Sequence, residues 1–269
     1  MISIPEGISL GPLTLHWSGL LVALGIAAGL YLAVREAKYR NIDTEIVYEF
    51  LLPLIFWGAL GARLWHIFTP PLSSVELGLT TQYYFSHPVD ALALWIGGFG
   101  IPGALLGGLL ALFLFVRKNG LPFWPVVDLF APGLALAQAI GRIGNYFSQE
   151  LYGLPTNLPW RIFIDPAHRL IGYEAVEYYH PLFAYEVILS IVSMILLLWL
   201  SRRFFDALKA GDLFLVYLGF YSLSRLFLEF LRLDIALVDG MNINQVFFAV
   251  AFVCAAVGLY LKHRLSKDL

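Results

Sequence analysis

Seven runs of apolar residues decide what this chain can become. They cover 15–34, 46–68, 91–116, 124–147, 181–200, 212–231 and 243–261. Each approaches or exceeds the ~20 residues that a helix needs to cross about 30 Å of hydrocarbon. Only 13% of the 269 residues are charged and 59% are hydrophobic, so water cannot solvate such a chain as a globule. The fold class is therefore an all-α integral membrane protein with seven transmembrane helices, read as one membrane domain over 1–269. Disorder and collagen-like structure are excluded by the same numbers, and a net charge of −2 offers no surface to nucleic acid. No basic residue precedes Arg35, so the first run lacks the positive flank of a cleavable leader and reads as a retained span.

Basic residues set the expected orientation. Eleven Lys and Arg follow the odd-numbered runs, from Arg35 to Lys267. Arg161, Arg169 and Arg232 alone lie on the other side. That asymmetry predicts an outside N-terminus and a cytoplasmic C-terminus. The outside connections are long: 69–90 carries Pro70-Pro71, and 148–180 carries prolines, aromatics and a possible strand at Trp160–Ile164. The second is expected to form a small extracytoplasmic head, and elaborated loops on one face put recognition there. Cys254, the single cysteine, allows no intrachain disulfide and reads as a small buried hydrophobe. The run Gly97–Gly108 fits either close helix packing, with Gly103 and Gly107 at GxxxG spacing, or a helix broken near Pro102.

Three arginines fall inside spans, where an ionisable side chain costs on the order of 2.5–3.5 kcal/mol at the helix centre. Arg63, Arg142 and Arg225 all lie toward the outer ends of their runs. Arg142, Asn145 and Gln149 recur at i, i+3, i+7 and share a helix face. Tyr221, Arg225 and Glu229 recur at i, i+4, i+8, with Arg232 one turn on, as a polar stripe among Leu and Phe. One reading is an interhelical ion pair, Arg225 with Glu229 or Glu150. The other is an anion site whose forked guanidinia hold a phosphate at lipid-headgroup depth. From these residues the chain is a membrane enzyme or carrier for an anionic lipid.

The segment Gly141-Arg142-Ile143-Gly144-Asn145-Tyr146-Phe147, continued by Glu150 and Gly153, resembles the signature of the prolipoprotein diacylglyceryl transferases. The resemblance extends to Leu15-His16-Trp17-Ser18-Gly19, Gly61-Ala62-Arg63, the Gly-rich third span and Asp128–Pro132. It continues through His180-Pro181, Tyr185-Glu186, the stripe from Tyr221 to Arg232, and Asn244-Gln245. It implies transfer of the diacylglyceryl group of phosphatidylglycerol to the thiol of a lipobox cysteine in a prolipoprotein signal peptide. A thioether forms and glycerol 1-phosphate leaves. The implied setting is the bacterial cytoplasmic (inner) membrane, with the site toward the outer leaflet.

The implied catalytic group is Arg142, Arg225, Asn145, Glu150 and Glu229. The arginines would clamp the phosphate, Asn145 would orient it, and the carboxylates would fix the guanidinia or the glycerol hydroxyls. Substrate contacts fall to Arg142, Arg225, Gly153, Tyr221, Arg63, His180 and Gln245, with Gly153 giving a tight turn into the head. No metal-ligand spacing is present, and no cofactor is required. Two positions depart from the family pattern. Pro102 stands where many members carry a histidine, a candidate base, and Ser18 where many carry a tyrosine. The expectation is that cations alone ionise the acceptor thiol; the alternative is that His66 or His180 serves, and of these two the His-Pro match favours His180. A lipid or small-anion transporter, with Asp128 extending a path inward, and a non-catalytic lipid-binding paralogue are the competing functions.

Overall fold

The computed structural model describes residues 7–10, 13–93 and 97–265. Strands β1 (Gly7–Leu10) and β2 (Leu13–His16) form an antiparallel hairpin that leads directly into α1 (Trp17–Tyr39). Then come α2 (Glu45–Phe68), the short helices α3 (Leu72–Glu76), α4 (Thr81–Ser86) and α5 (Pro88–Leu92), and α6 (Ile101–Lys118). α7 (Phe123–Phe147) precedes the two-residue strands β3 (Ile162–Phe163) and β4 (Tyr178–Tyr179), which pair with each other. α8 (Leu182–Arg203), α9 (Asp212–Leu228) with a 3-10 turn to Leu231, the hairpin β5 (Leu237–Val238) and β6 (Met241–Asn242), and α10 (Ile243–Leu265) complete the described chain. Seven of these helices are long and apolar enough to cross a membrane.

α7 is the axis of the bundle. α1, α8 and α9 pack against it, while α2 pairs with α6 and α9 with α10. Small residues allow the closest approaches. Gly29 on α1 meets Gly133 on α7 so tightly that a Cβ at residue 29 would lie 2.7 Å from the Gly133 carbonyl oxygen. Around this crossing Leu129, Ala131, Ala135, Val47, Phe50, Leu197, Leu213 and Phe248 form one core. Outward, Leu24, Leu52, Phe56, Ile188, Ile195 and Val250 are exposed. A belt of large apolar side chains facing away from the core matches hydrocarbon, not water. Cys254 belongs to that exposed belt and is not buried, which corrects the expectation for it.

One end of the bundle is closed by charge. Glu36, fully buried, accepts hydrogen bonds from Ser201 Oγ (3.0 Å) and the Arg202 guanidinium (3.1 Å). Asp128 accepts from the backbone N–H groups of Gly211 (2.6 Å) and Phe214 (2.8 Å), satisfying the first turn of α9. Asp128 is thus a cap and not a step on a path through the bundle. His263 and Asp212 pair at 2.8 Å at the same end.

The third span departs most from expectation. Its expected start at 91 falls on α5, and residues 94–96 lie outside the described residues. The helix begins only at Ile101. Gly97 and Gly98 have φ of +83° and +76°, a conformation other residues avoid. Both readings of the glycine run apply, to different halves. Residues 97–100 are irregular backbone, and Gly103 and Gly107 pack against Gly61 and Trp57 of α2. Segment 69–90, expected as a long outside connection, holds α3, α4 and the start of α5. The expected strand at 160–164 forms only at Ile162–Phe163. Tyr152, Ile164 and Tyr179 build a small core of their own in 148–180.

Candidate active site

At the end of the bundle opposite Glu36 and Asp128, three spans deliver charge to one place. Arg142 lies near the end of α7 and Glu186 in the first turns of α8. Arg225 lies near the end of α9, with Glu229 and Arg232 just after it. Arg142 Nε is 2.7 Å from Glu186 Oε2, and the other Glu186 oxygen pairs with Arg225 Nη1. Arg225 Nη2 reaches Glu229 at 3.2 Å, and Arg232 Nη1 approaches the same carboxylate at 3.8 Å. Asn244 Nδ2 donates to Glu229 at 3.4 Å and Asn242 Nδ2 at 3.5 Å. The result is a ladder of three cations and two carboxylates, with an excess positive charge. Buried ions are tolerated only when paired and hydrogen-bonded, and this ladder satisfies that condition.

The cations differ in access. Arg225 is 2% exposed, whereas the Arg142 and Arg232 side chains keep 18% and 22% of their surface. Two polar cavities meet at these last two. The smaller, about 130 Å³, is walled by Trp65, His66, Pro102, Arg142, Arg225 and Arg232, among others. The larger, about 680 Å³, reaches from His66, Arg142 and Arg232 to Asn145, Gln149, Glu150, Tyr152 and the hairpin residue His16. Trp65 Nε1, Arg225 Nε and Asn244 Oδ1 border the smaller cavity, are buried, and have no hydrogen-bond partner among the described residues. Unmatched buried polar atoms mark places where a ligand completes the hydrogen bonding. An apolar cavity of about 230 Å³ lies next to the smaller polar one. It shares Ile101 and runs between α2, α6, α7 and α9 past Leu54, Leu105, Phe130 and Tyr221.

The segment after α7 shapes the larger cavity. Gln149 and Leu151 adopt φ of +50° and +55°, unusual for residues with a Cβ. Gln149 Nε2 donates to Asp165 Oδ2 at 2.9 Å, and the Asp165 N–H donates back to Gln149 Oε1 at 2.6 Å. This reciprocal pair of hydrogen bonds ties the helix end to the 148–180 segment. Tyr152 donates to the His168 carbonyl at 2.8 Å. Burial pushes its phenol up to about 12, so it remains neutral at physiological pH. Burial also lowers the Arg232 guanidinium below its ordinary value, and the Glu229 carboxylate opposes that shift.

The expected residues divide into three groups. Arg142, Arg225, Asn145 and Glu150 line the polar cavities, and Asn145 Nδ2 lies 3.4 Å from Glu150 Oε2. Glu229 stands behind the arginines, and Tyr221 stacks on Tyr217 beside the apolar cavity. Arg63, Gly153, His180 and Gln245 line neither polar cavity. Arg63 is buried and donates to the backbone carbonyls of Asp90, Ala91 (2.9 Å from Nε) and Gly97. Its fork therefore holds irregular backbone and is not open to substrate. Gly153 makes no left-handed turn. It is needed because a Cβ would lie 2.6 Å from the Leu231 carbonyl oxygen, while Gln149 and Leu151 make the turn. His180 Nδ1 bonds the Tyr185 hydroxyl at 3.1 Å, and that hydroxyl accepts from Trp160 Nε1 at 2.7 Å.

Sequence reasoning left out Glu186, the carboxylate shared by Arg142 and Arg225, although its match beside Tyr185 was visible. It also passed over Asn244 in favour of its neighbour Gln245. Asp234, in the wall of both polar cavities, carried no sequence signal. Ser73 on α3 holds it through the backbone N–H (3.0 Å) and Oγ (2.8 Å).

Residues 5–261 match the family model described as prolipoprotein diacylglyceryl transferase. A phosphatidylglycerol–prolipoprotein diacylglyceryl transferase of Synechococcus elongatus is 37% identical over 268 residues, covering 98% of this chain and 89% of the relative. The enzyme of the same name from Parasynechococcus marenigrum is 38% identical over 96% of this chain and 94% of its own length. That of Gloeobacter violaceus is 38% identical over 97% and 94%. With a match that spans nearly the whole chain and includes the arginine ladder, the protein belongs to the prolipoprotein diacylglyceryl transferase family.

Proposed function

We propose that this chain transfers the diacylglyceryl group of phosphatidylglycerol to the lipobox cysteine thiol of a prolipoprotein. The observation that carries the reading is the junction of cavities. Ile101 lines both a polar space bounded by Arg142, Arg225 and Arg232 and an apolar slot between helices, so the two lie side by side. A phospholipid has that polarity, with an anionic head joined to acyl chains. Arg142 and Arg232 face the phosphate, and Arg225 supports them from behind through the shared carboxylates. As the glyceryl carbon is transferred, negative charge grows on the departing glycerol phosphate, and fixed cations stabilise it most at that moment. The acceptor thiol reaches the glyceryl carbon through the larger cavity, past Asn145 and Glu150. Transport is the weaker reading, since Asp128 caps α9 and the other end is closed by Glu36 and Arg202.

The test uses purified protein in liposomes containing phosphatidylglycerol and a lipobox peptide. Mass spectrometry is expected to find a diacylglyceryl thioether on the peptide cysteine and glycerol 1-phosphate in solution. Binding of both substrates without a mass gain would leave a lipid-binding protein and sink the reading.

The orientation belongs to the same proposal. The basic residues place the N-terminus and the 148–180 head outside and the C-terminus in the cytoplasm of a bacterial inner-membrane protein, with the arginine ladder in the outer leaflet. In a Cys254→Ala background, Ser74→Cys is expected to react with an impermeant maleimide from outside, and Lys209→Cys only after permeabilisation. Reaction of both from one side would overturn it.

A further inference from the structure

We propose that His66 is the proton acceptor for the substrate thiol in this chain; the proposal rests on the transferase reading. Of the six histidines, His66 alone lines both polar cavities, across from Arg142 and beside Pro102. It therefore faces the space where phosphate and thiol meet. His16 and His168 line only the larger cavity, and His180 neither.

The surroundings of the ring fit a base. His66 Nε2 is 3.2 Å from the Tyr84 hydroxyl. In the tautomer that this role requires, Nε2 donates to the Tyr84 oxygen, which keeps the Nδ1 lone pair for an incoming proton. Among the described residues Nδ1 has no hydrogen-bond partner, and it is not among the buried unpartnered atoms. Tyr84 is 3% exposed, and the Arg63 guanidinium lies 5.1 Å from its ring centre. Arg63 is in turn fixed by the carbonyls around Gly97. Gly98 presses on the same group. A Cβ there would come within 2.6 Å of Arg63 Nη1 and 2.7 Å of His66 Nε2, so this backbone fixes the ring's position. Arg63 and Tyr84 are thus positioning residues that act through His66, which gives a buried arginine a role its distance from the cavities otherwise denies.

The charged and titratable groups facing His66 come from several elements. They are Arg63 on α2, Tyr84 on α4, Arg142 on α7, Arg225 on α9, and Arg232 and Asp234 beyond it. His16, Glu150, Tyr152 and His168 face it across the larger cavity. Of these, Tyr152 holds its proton too firmly to act, and Asp234 is engaged by Ser73.

The step balances without a further reactant. The thiol proton moves to His66 as sulfur attacks the terminal glyceryl carbon. The S–C bond forms, the C–O bond to phosphate breaks, and its electron pair leaves on the phosphate oxygen. His66 then returns the proton to the released glycerol phosphate or to water.

The experiment measures transfer in phosphatidylglycerol liposomes against pH for wild type, His66→Gln and His66→Ala. His66→Gln is expected to lower kcat on the order of 10²–10⁴-fold, the range for loss of a general base, with KM for lipid within about threefold. The low-pH limb that reports protonation of the base is expected to disappear. Added imidazole is expected to restore His66→Ala by at least about tenfold, since the missing side chain leaves room for it beside the cavity. A merely structural histidine shows neither the altered profile nor the rescue. An active wild type with His66→Gln at more than a third of its rate overturns the proposal and leaves the transferase reading intact. So does loss in both variants without imidazole rescue. An inactive wild type overturns both.

Discussion

Replacing Arg142 by Ala is expected to cut diacylglyceryl transfer on the order of 10³-fold while the protein still inserts and folds. The two halves of that expectation have separate causes. Activity falls because Arg142 borders both polar cavities, anchored by Nε on Glu186 and facing the space where a phosphate would sit. Folding survives because Glu186 still has Arg225, so no carboxylate is stranded. Arg142→Lys is expected to recover little, since an ammonium cannot hold Glu186 and phosphate with the two sides of one planar fork. Arg225→Ala has a different character. That arginine is buried between two carboxylates, and its removal damages the fold before it damages the chemistry. Initial rates in phosphatidylglycerol liposomes, set beside retention on gel filtration, separate the two. Turnover of Arg142→Ala within threefold of wild type would mean that the ladder is purely structural.

The sequence made the spans readable because hydropathy measures what a bilayer selects. Expected runs 124–147 and 243–261 became Phe123–Phe147 and Ile243–Leu265. The third span failed for a physical reason. Residues 91–100 are as apolar as a helix requires, but Gly97 and Gly98 enter the left-handed region, and Arg63 takes the carbonyls that a helix would satisfy internally. Hydropathy cannot register a hydrogen bond supplied from another span. The short helices at 72–92 were hidden similarly, since each is too short to show a period.

Within the site, helical spacing was informative and pairing was not. Arg142, Asn145 and Gln149 were placed on one face by their spacing, and all three line the larger cavity. Arg225 and Glu229, four apart, form the expected pair. Neither reading of the arginines excluded the other. They are paired with carboxylates, and they also border an open polar space. Arg63, Gly153, His180 and Gln245 were expected at the substrate because they lie in matching segments. The structure uses Arg63 to hold backbone, Gly153 for close approach and His180 to hold Tyr185. His66 was one of two candidate histidines and Asn244 part of a matching pair, but only three-dimensional placement puts them at the cavity, because a lone His or Asn near a span end is common at interfaces.

The largest effect on stability is expected from Glu186, which sequence reasoning left out of the site. This carboxylate is 4% exposed and holds Arg142 and Arg225 at once. Glu186→Gln keeps its size and removes its charge, so three cations then share Glu229 as their nearest carboxylate in the ladder. Removing one partner of a buried pair costs about 3–5 kcal/mol, because the remaining charge stays desolvated and unpaired. Activity is expected to fall as well, since the Arg142 fork loses the anchor that aims it. The ladder also makes a prediction that generic core damage does not share. An anionic headgroup entering the cavity supplies the charge that Glu186→Gln removed. Phosphatidylglycerol is therefore expected to raise the unfolding temperature of Glu186→Gln more than that of wild type, while a zwitterionic phospholipid raises both alike. The Glu186→Ala variant, which adds a cavity to the lost charge, is expected to recover less. Thermal unfolding in detergent with graded amounts of each lipid measures the difference. Equal stabilisation of wild type and Glu186→Gln by phosphatidylglycerol would show that the headgroup binds away from the arginines, and the phosphate assignment would fall with it.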